Sequence, residues 1–177
     1  MNDPVASEAL GSARSPAARR TAARLAAVQG LYQMAVTGLS ADVLIDEFNR
    51  YRFGSTGSRL LDEEVAVEAD SDLFAAFVRG VTAGTADLDS LIAGSLSDDL
   101  AIDRLEILIR TILRVGAYEL EAMPETPARV VIDEYVGIAS AFYETRETAL
   151  INGVLDGLAR RLRVVELGAI ENEPAPR

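Results

Sequence analysis

Apolar positions recur at three- and four-residue intervals along most of this chain, and no segment alternates with a period of two. That pattern predicts an all-α fold of six or seven helices. From about Pro16, Leu25, Val28, Tyr32 and Ala35 or Val36 recur at helical spacing, giving a first helix that ends near Thr37 and Gly38. Ser40 is placed to cap a second helix with Leu44, Phe48 and Tyr51 on one side. Residues 52 to 70 carry two glycines, several Ser/Thr breakers and an acidic cluster without a period, and read as a long loop. Asp70 or Ser71 then caps a run in which Phe74, Phe77, Val78, Val81, Leu88, Leu91 and Ile92 share a face, with Gly80 and Gly84 weakening its middle.

The stretch from Asp103 to Arg163 carries the strongest pattern. Asp103, Glu106, Arg110 and Arg114 fall on one stripe, while Leu105, Leu108, Ile109, Ile112, Leu113, Val115 and Tyr118 cover the remaining circumference of a central, largely buried helix. Met123-Pro124-Glu125-Thr126-Pro127 stops it, with Thr126 as the expected N-cap of the next helix and Pro127 at its first position. Val131, Ile132, Tyr135, Ile138, Ala139 and Phe142 form the inner face of that helix, and Arg129, Asp133, Ser140 and Glu144 its outer face. Leu150, Val154, Leu155, Leu158 and Leu162 build the last. The expected organisation is a flexible arm over 1–15, one helical domain over 16–163 and a flexible tail over 164–177.

Composition narrows the chemistry. Cysteine, histidine and lysine are absent, which removes disulfides, the usual zinc ligands, thiol nucleophiles and any histidine base. No apolar run approaches the roughly 18 residues of a membrane span, and the first residues lack the apolar core of a signal peptide. The cytoplasm is the expected compartment, with no membrane partner. Asp62-Glu63-Glu64 and Asp98-Asp99 have neither calcium-loop spacing nor a neighbouring nucleophile, so they read as solvated acidic surface, and no metal or cofactor is expected.

Net charge is −11, which argues against a nucleic-acid binder until its distribution is considered. Residues 1–30 hold Arg14, Arg19, Arg20 and Arg24 against Asp3 and Glu8, a local +2, and the remainder is −13. A small basic end on an acidic body suggests one surface for phosphates and another for a basic protein. Arg19, Arg20 and Arg24 lie near the positive end of the first helix dipole, which disfavours cations by a few tenths of a kcal/mol each, roughly. Arg20 and Arg24, four apart, would project together toward adjacent phosphates, although arginine is also simply a good helix former in an Ala-rich helix. Asn152-Gly153 would mark a hairpin in a β context. Here helical spacing continues across it, so Gly153 and Gly157 are expected to let another helix approach, the alternative being a functional role for Asn152.

Four blocks in order over residues 17–163 resemble the NusB family: ARRTAARLAAVQGLYQ, LFAAFVRGV with DLDSLIAGSL, ILRVGAYELEAMPETPARVVIDEYVGIASAF, and INGVLDGLA. The resemblance implies two three-helix bundles packed across each other, and binding rather than catalysis. It also implies pairing with NusE, a small-subunit ribosomal protein, and recognition of single-stranded boxA RNA by the pair, in support of ribosomal RNA transcription by the elongation complex. Arg19, Arg20 and Arg24 would then meet phosphates. Arg114 matches the arginine of the family's ILR block and becomes a further RNA candidate, with Arg146 and Asn152. Tyr32 matches the tyrosine of the LYQ-like block and is a candidate partner contact, or else a core tyrosine.

The chain departs from the family pattern at Thr21 and Ala22, where further basic residues are common, and at Leu150-Ile151, where Phe-Val is common. Arg146 stands where an acid is often found. NusB-like domains also precede ribosomal-RNA cytosine methyltransferases, but this sequence has neither a cofactor-binding α/β pattern nor a cysteine nucleophile. The competing reading is an acidic helical interaction module, or a homodimer, that does not bind RNA.

Overall fold

The computed structural model describes residues 15–53, 68–97 and 100–171. The expected arm over residues 1–14, most of the 52–70 loop, both acidic clusters and the end of the chain lie outside the described residues. Among the described residues there are eight α-helices, one short 3-10 helix and no strand. The fold is all-α, as the periodicity predicts. Two compact units divide the chain, one running to Thr82 and the other from Ala83.

The first unit contains α1 (Pro16–Thr37), α2 (Ala41–Tyr51) and α3 (Ser71–Ala83). Ser15 caps α1 by accepting a hydrogen bond from Ala18 N at 3.1 Å, and Pro16 occupies the first helical position. Gly38 ends the helix at φ 75°, a left-handed conformation that glycine adopts without a Cβ penalty. Ser40 caps α2 and Asp70 caps α3 by accepting from Val43 N and Leu73 N. The core gathers Leu44, Ile45 and Phe48 with Phe74, Phe77, Val78 and Val81. Phe48 and Phe74 stack with centroids 4.7 Å apart, and Phe53 meets both edge-on.

Helix α1 differs from the expected amphipathic stripe. From Ala22 to Leu31 it is buried on almost its whole circumference, and Leu25 and Gln29, four apart, are its only partly exposed positions there. Tyr32, and Val36 as one of the two alternatives after it, lie on the expected apolar stripe yet are 41% and 59% exposed. The expectation followed the large apolar residues, whereas small ones carry the packing. A Cβ on Gly30 would stand 2.8 Å from Leu44 Cδ2 and 3.5 Å from the Phe48 and Phe74 rings, so α1 needs glycine there to come this close. Tyr51, expected on the inner side of α2, is also exposed, and Ile45 is buried instead.

The second unit contains α4 (Thr85–Ala93), a 3-10 helix (Ile102–Arg104), α5 (Ile107–Ala122), α6 (Ala128–Ser140), α7 (Thr145–Leu162) and α8 (Val164–Glu171). The single run expected over Phe74–Ile92 is two helices, broken at Gly84, the weak point that its glycine marks. Helix α5 is the buried centre. It begins at Ile107, so Asp103 lies in the preceding 3-10 helix, off the expected stripe. Leu155 of α7 and Tyr135 of α6 converge on Gly116, where a Cβ would stand 2.9 and 3.2 Å from them. Nearby, the buried Tyr135 hydroxyl donates to Glu119 at 2.8 Å, which satisfies two polar groups in an apolar core. Phe142 is half exposed rather than inward, and Gly153 is exposed with open space at its Cβ position. Of the two glycines expected to admit a helix, only at Gly157 would an added Cβ meet a neighbour among the described residues, Ser95 at an ordinary 3.6 Å.

The tail expected from residue 164 opens as helix α8, and its start is tied to the body. The Arg163 guanidinium donates to the carbonyls of Leu120 (2.6 Å), Met123 (2.9 Å), Pro124 (3.1 Å) and Glu119 (3.4 Å), which caps the C-terminal end of α5. Glu166 accepts from Ala128 N at 2.7 Å, capping the start of α6. The expected N-cap Thr126 is instead buried one residue before Pro127, and α6 borrows its cap from α8. Arg163 and Glu166 pair with each other at 3.5 Å.

Candidate nucleic-acid interface

In the first unit, Arg19 and Arg20 lie in the opening turns of α1, which holds no acid in its first turn. Both are half-buried. The Arg19 Nη2 stands 3.8 Å from Glu68 Oε1, too long for a hydrogen bond, and its Nε is buried with no hydrogen-bond partner among the described residues. A buried donor left unsatisfied costs roughly 1–3 kcal/mol, so this guanidinium edge is short of an acceptor. The Arg19 carbonyl accepts from Asp70 N at 3.1 Å, which fixes the chain entering α3 beside it.

Arg24 is elsewhere. It is 2% exposed, inside the largely buried segment of α1, so it does not project with Arg20 into solvent as four-residue spacing predicts. The narrow solvated side of α1 here runs through Thr21, Leu25 and Gln29, and Arg24 lies off it.

In the second unit, Arg146 and Asn152 are both exposed on α7. Arg146 makes no hydrogen bond or ion pair among the described residues, so its cation faces solvent. Arg146, Gly153 and Arg160, at intervals of seven residues, line the solvated side of the helix, and Asn152 adjoins them. Arg160 is already engaged, its Nε 2.9 Å from Asp156.

Arg114 departs from its expected exposure. Its Nε and Nη2 donate to the two Asp89 oxygens at 2.7 Å each, a bidentate pair, and only 21% of its side chain is exposed. The pair ties α4 to α5. Asp89, 25 residues upstream, is a partner that no helical spacing could reveal, and Glu68 escaped notice for the same reason. Tyr32 is 41% exposed, which overturns the core-tyrosine reading and leaves a ring on the surface of α1 beside the exposed Val36 one turn on.

No group of three or more acidic residues that could hold a metal occurs among the described residues. No helix among them is long and apolar enough to cross a membrane. Taken separately, each unit offers cations at its surface, the second also a planar amide at Asn152, groups of the kind that bind anions.

Comparison with known proteins gives the same direction. The NusB family model matches residues 21–160. The transcription antitermination protein NusB of Maricaulis maris is 46% identical over 81% of this chain and 88% of that protein. The protein of the same name from Caulobacter vibrioides is 43% identical over 81% and 94%. The solved structure of T. maritima NusB superimposes with a TM-score of 0.63 at 26% identity, over 83% of this chain and 92% of that one. With the family model matched over residues 21–160 and relatives above 40% identical over most of their length, this chain belongs to the NusB family.

Proposed function

We propose that the chain is an RNA-binding transcription antitermination factor. It pairs with NusE, binds single-stranded boxA RNA and supports ribosomal RNA transcription within the elongation complex. The observation that carries this reading is the family match across residues 21–160, with relatives that bear the antitermination name at up to 46% identity. The side chains support it in a revised form. Arg19, Arg20, Arg146 and Asn152 are the RNA contacts, since each reaches solvent. Arg24 in the first unit is buried and Arg114 in the second is paired with Asp89, so each serves its own unit by positioning rather than by contact. Tyr32 with Val36 is the contact for the protein partner, and an acidic body speeds encounter with a basic ribosomal protein.

The test is a titration of labelled boxA RNA with and without NusE. Arg19→Ala combined with Arg20→Ala is expected to weaken binding and flatten the log-log salt slope by about 1.4, two phosphate contacts on a single strand. Unchanged affinity and slope would reject the site. The exposed apolar pair Tyr32 and Val36 also favours a second reading, a helical protein-interaction or homodimerisation module that never meets RNA. Light scattering that shows a dimer, together with no boxA binding in the presence of NusE, would select it.

A further inference from the structure

The carboxylate beside Arg19 does more than decorate the surface. Arginine binds oxyanions best through one planar edge, Nε with a terminal nitrogen, which matches two oxygens of a carboxylate or phosphate. Arg114 shows that edge filled, with both nitrogens 2.7 Å from Asp89. On Arg19 the edge is not filled in this way: Nε is buried and has no acceptor among the described residues, so an anion can meet only the rest of the side chain, which is 42% exposed and whose Nη2 stands 3.8 Å from Glu68. Glu68 is close enough to hold the charge and too far to complete the bonds.

Its position is set by the fold. Two residues on, Asp70 N donates to the Arg19 carbonyl at 3.1 Å while the Asp70 side chain caps α3. Ala69 between them is buried, 2% exposed. The backbone is therefore pinned against α1, whereas the Glu68 side chain is 69% exposed and can swing into water. An anchored backbone with a free carboxylate keeps an acid permanently beside one arginine without locking the two together.

We propose that Glu68 is a built-in competitor for the anion that Arg19 binds: the carboxylate occupies the guanidinium in the unliganded protein, and an RNA phosphate displaces it. This rests on the RNA-binding reading above. A loose, exposed pair is weak, and salt weakens it further, so it yields to a polyanion yet discourages single weak anions. Glu68 thereby sets a threshold at the site.

The experiment titrates the labelled boxA RNA, with NusE present, into the unaltered protein, Glu68→Gln, Arg19→Ala and the double variant. Unfolding midpoints confirm that each is folded. Glu68→Gln is expected to tighten binding about two- to fivefold at low salt, with the gain vanishing at high salt and absent in the Arg19→Ala background. Binding that Glu68→Gln leaves unchanged, or tightens equally with and without Arg19, overturns the competitor role and leaves the RNA-binding reading standing. If the unaltered protein does not bind the RNA, that reading fails and takes this one with it.

Discussion

Under the proposed function, single residues separate into exposed ones that would bind and buried or paired ones that hold the structure, and the two groups respond differently to truncation. Arg146, exposed and unpaired among the described residues, is expected to tolerate Ala within about 0.5 kcal/mol of stability while losing RNA affinity. Arg114→Ala leaves Asp89 without its bidentate partner in a site about three-quarters buried, and is expected to cost roughly 1–3 kcal/mol by urea unfolding. Equal stability losses for the two would remove the distinction. Glycines divide in the same way. Gly153→Ala, with open space around its Cβ position, is expected to stabilise by about 0.5–1 kcal/mol, since helical glycine is unfavourable and nothing here requires it. Gly116→Ala would push a methyl to 2.9 Å from Leu155 and is expected to destabilise by roughly 1–3 kcal/mol. Thermal unfolding of both variants checks the signs.

At the level of elements, helix existence was written plainly in the chain, and orientation less so. Ser40, Asp70, Gly38 and the break after Ala122 all act where their residue types predict, because capping is a local reaction of a side chain with its own backbone. The inward side of α1 was misread because periodicity was weighed by large apolar groups, while the helix is packed through Ala23, Ala26, Ala27 and Gly30. The site changes with it: Arg24, expected beside Arg20 from its spacing, is buried, while Tyr32 is exposed. The cap of α6 was illegible for a different reason, since its acceptor, Glu166, lies 38 residues away. That long-range cap makes a prediction about α8. Arg163→Ala is expected to destabilise by about 2–3 kcal/mol, the scale of charged hydrogen bonds, and to loosen the turn at 123–127. Hydrogen exchange at Ala128 and denaturant unfolding report the two effects, and a neutral outcome would mean that α8 is an ornament.

For the molecule as a whole, charge is the quantity that sequence conveyed without folding. With 28 acids against 17 arginines, the chain repels RNA at long range and attracts a basic protein. Under the proposed function an order of assembly follows: the ribosomal protein would bind first and lower the repulsion, and RNA would then engage Arg19, Arg20 and Arg146. The association rate with NusE is accordingly expected to fall at least about tenfold from low to high salt, while boxA binding without NusE stays weak at every salt concentration. Stopped-flow association at several ionic strengths measures the first, and a rate indifferent to salt would contradict the assignment of the acidic body to a cationic partner.

The Arg163 clasp also has a bearing on how this region can drift over generations. All four of its strong acceptors around the end of α5 are main-chain oxygens, which any amino acid supplies. Side chains at Leu120, Met123 and Pro124 are thus at liberty to vary as far as the clasp is concerned, whereas position 163 has no stand-in, because lysine lacks the planar fork that reaches several oxygens at once. In a saturation library selected for folding, tolerance should be broad along the receiving segment and narrow at the single donor.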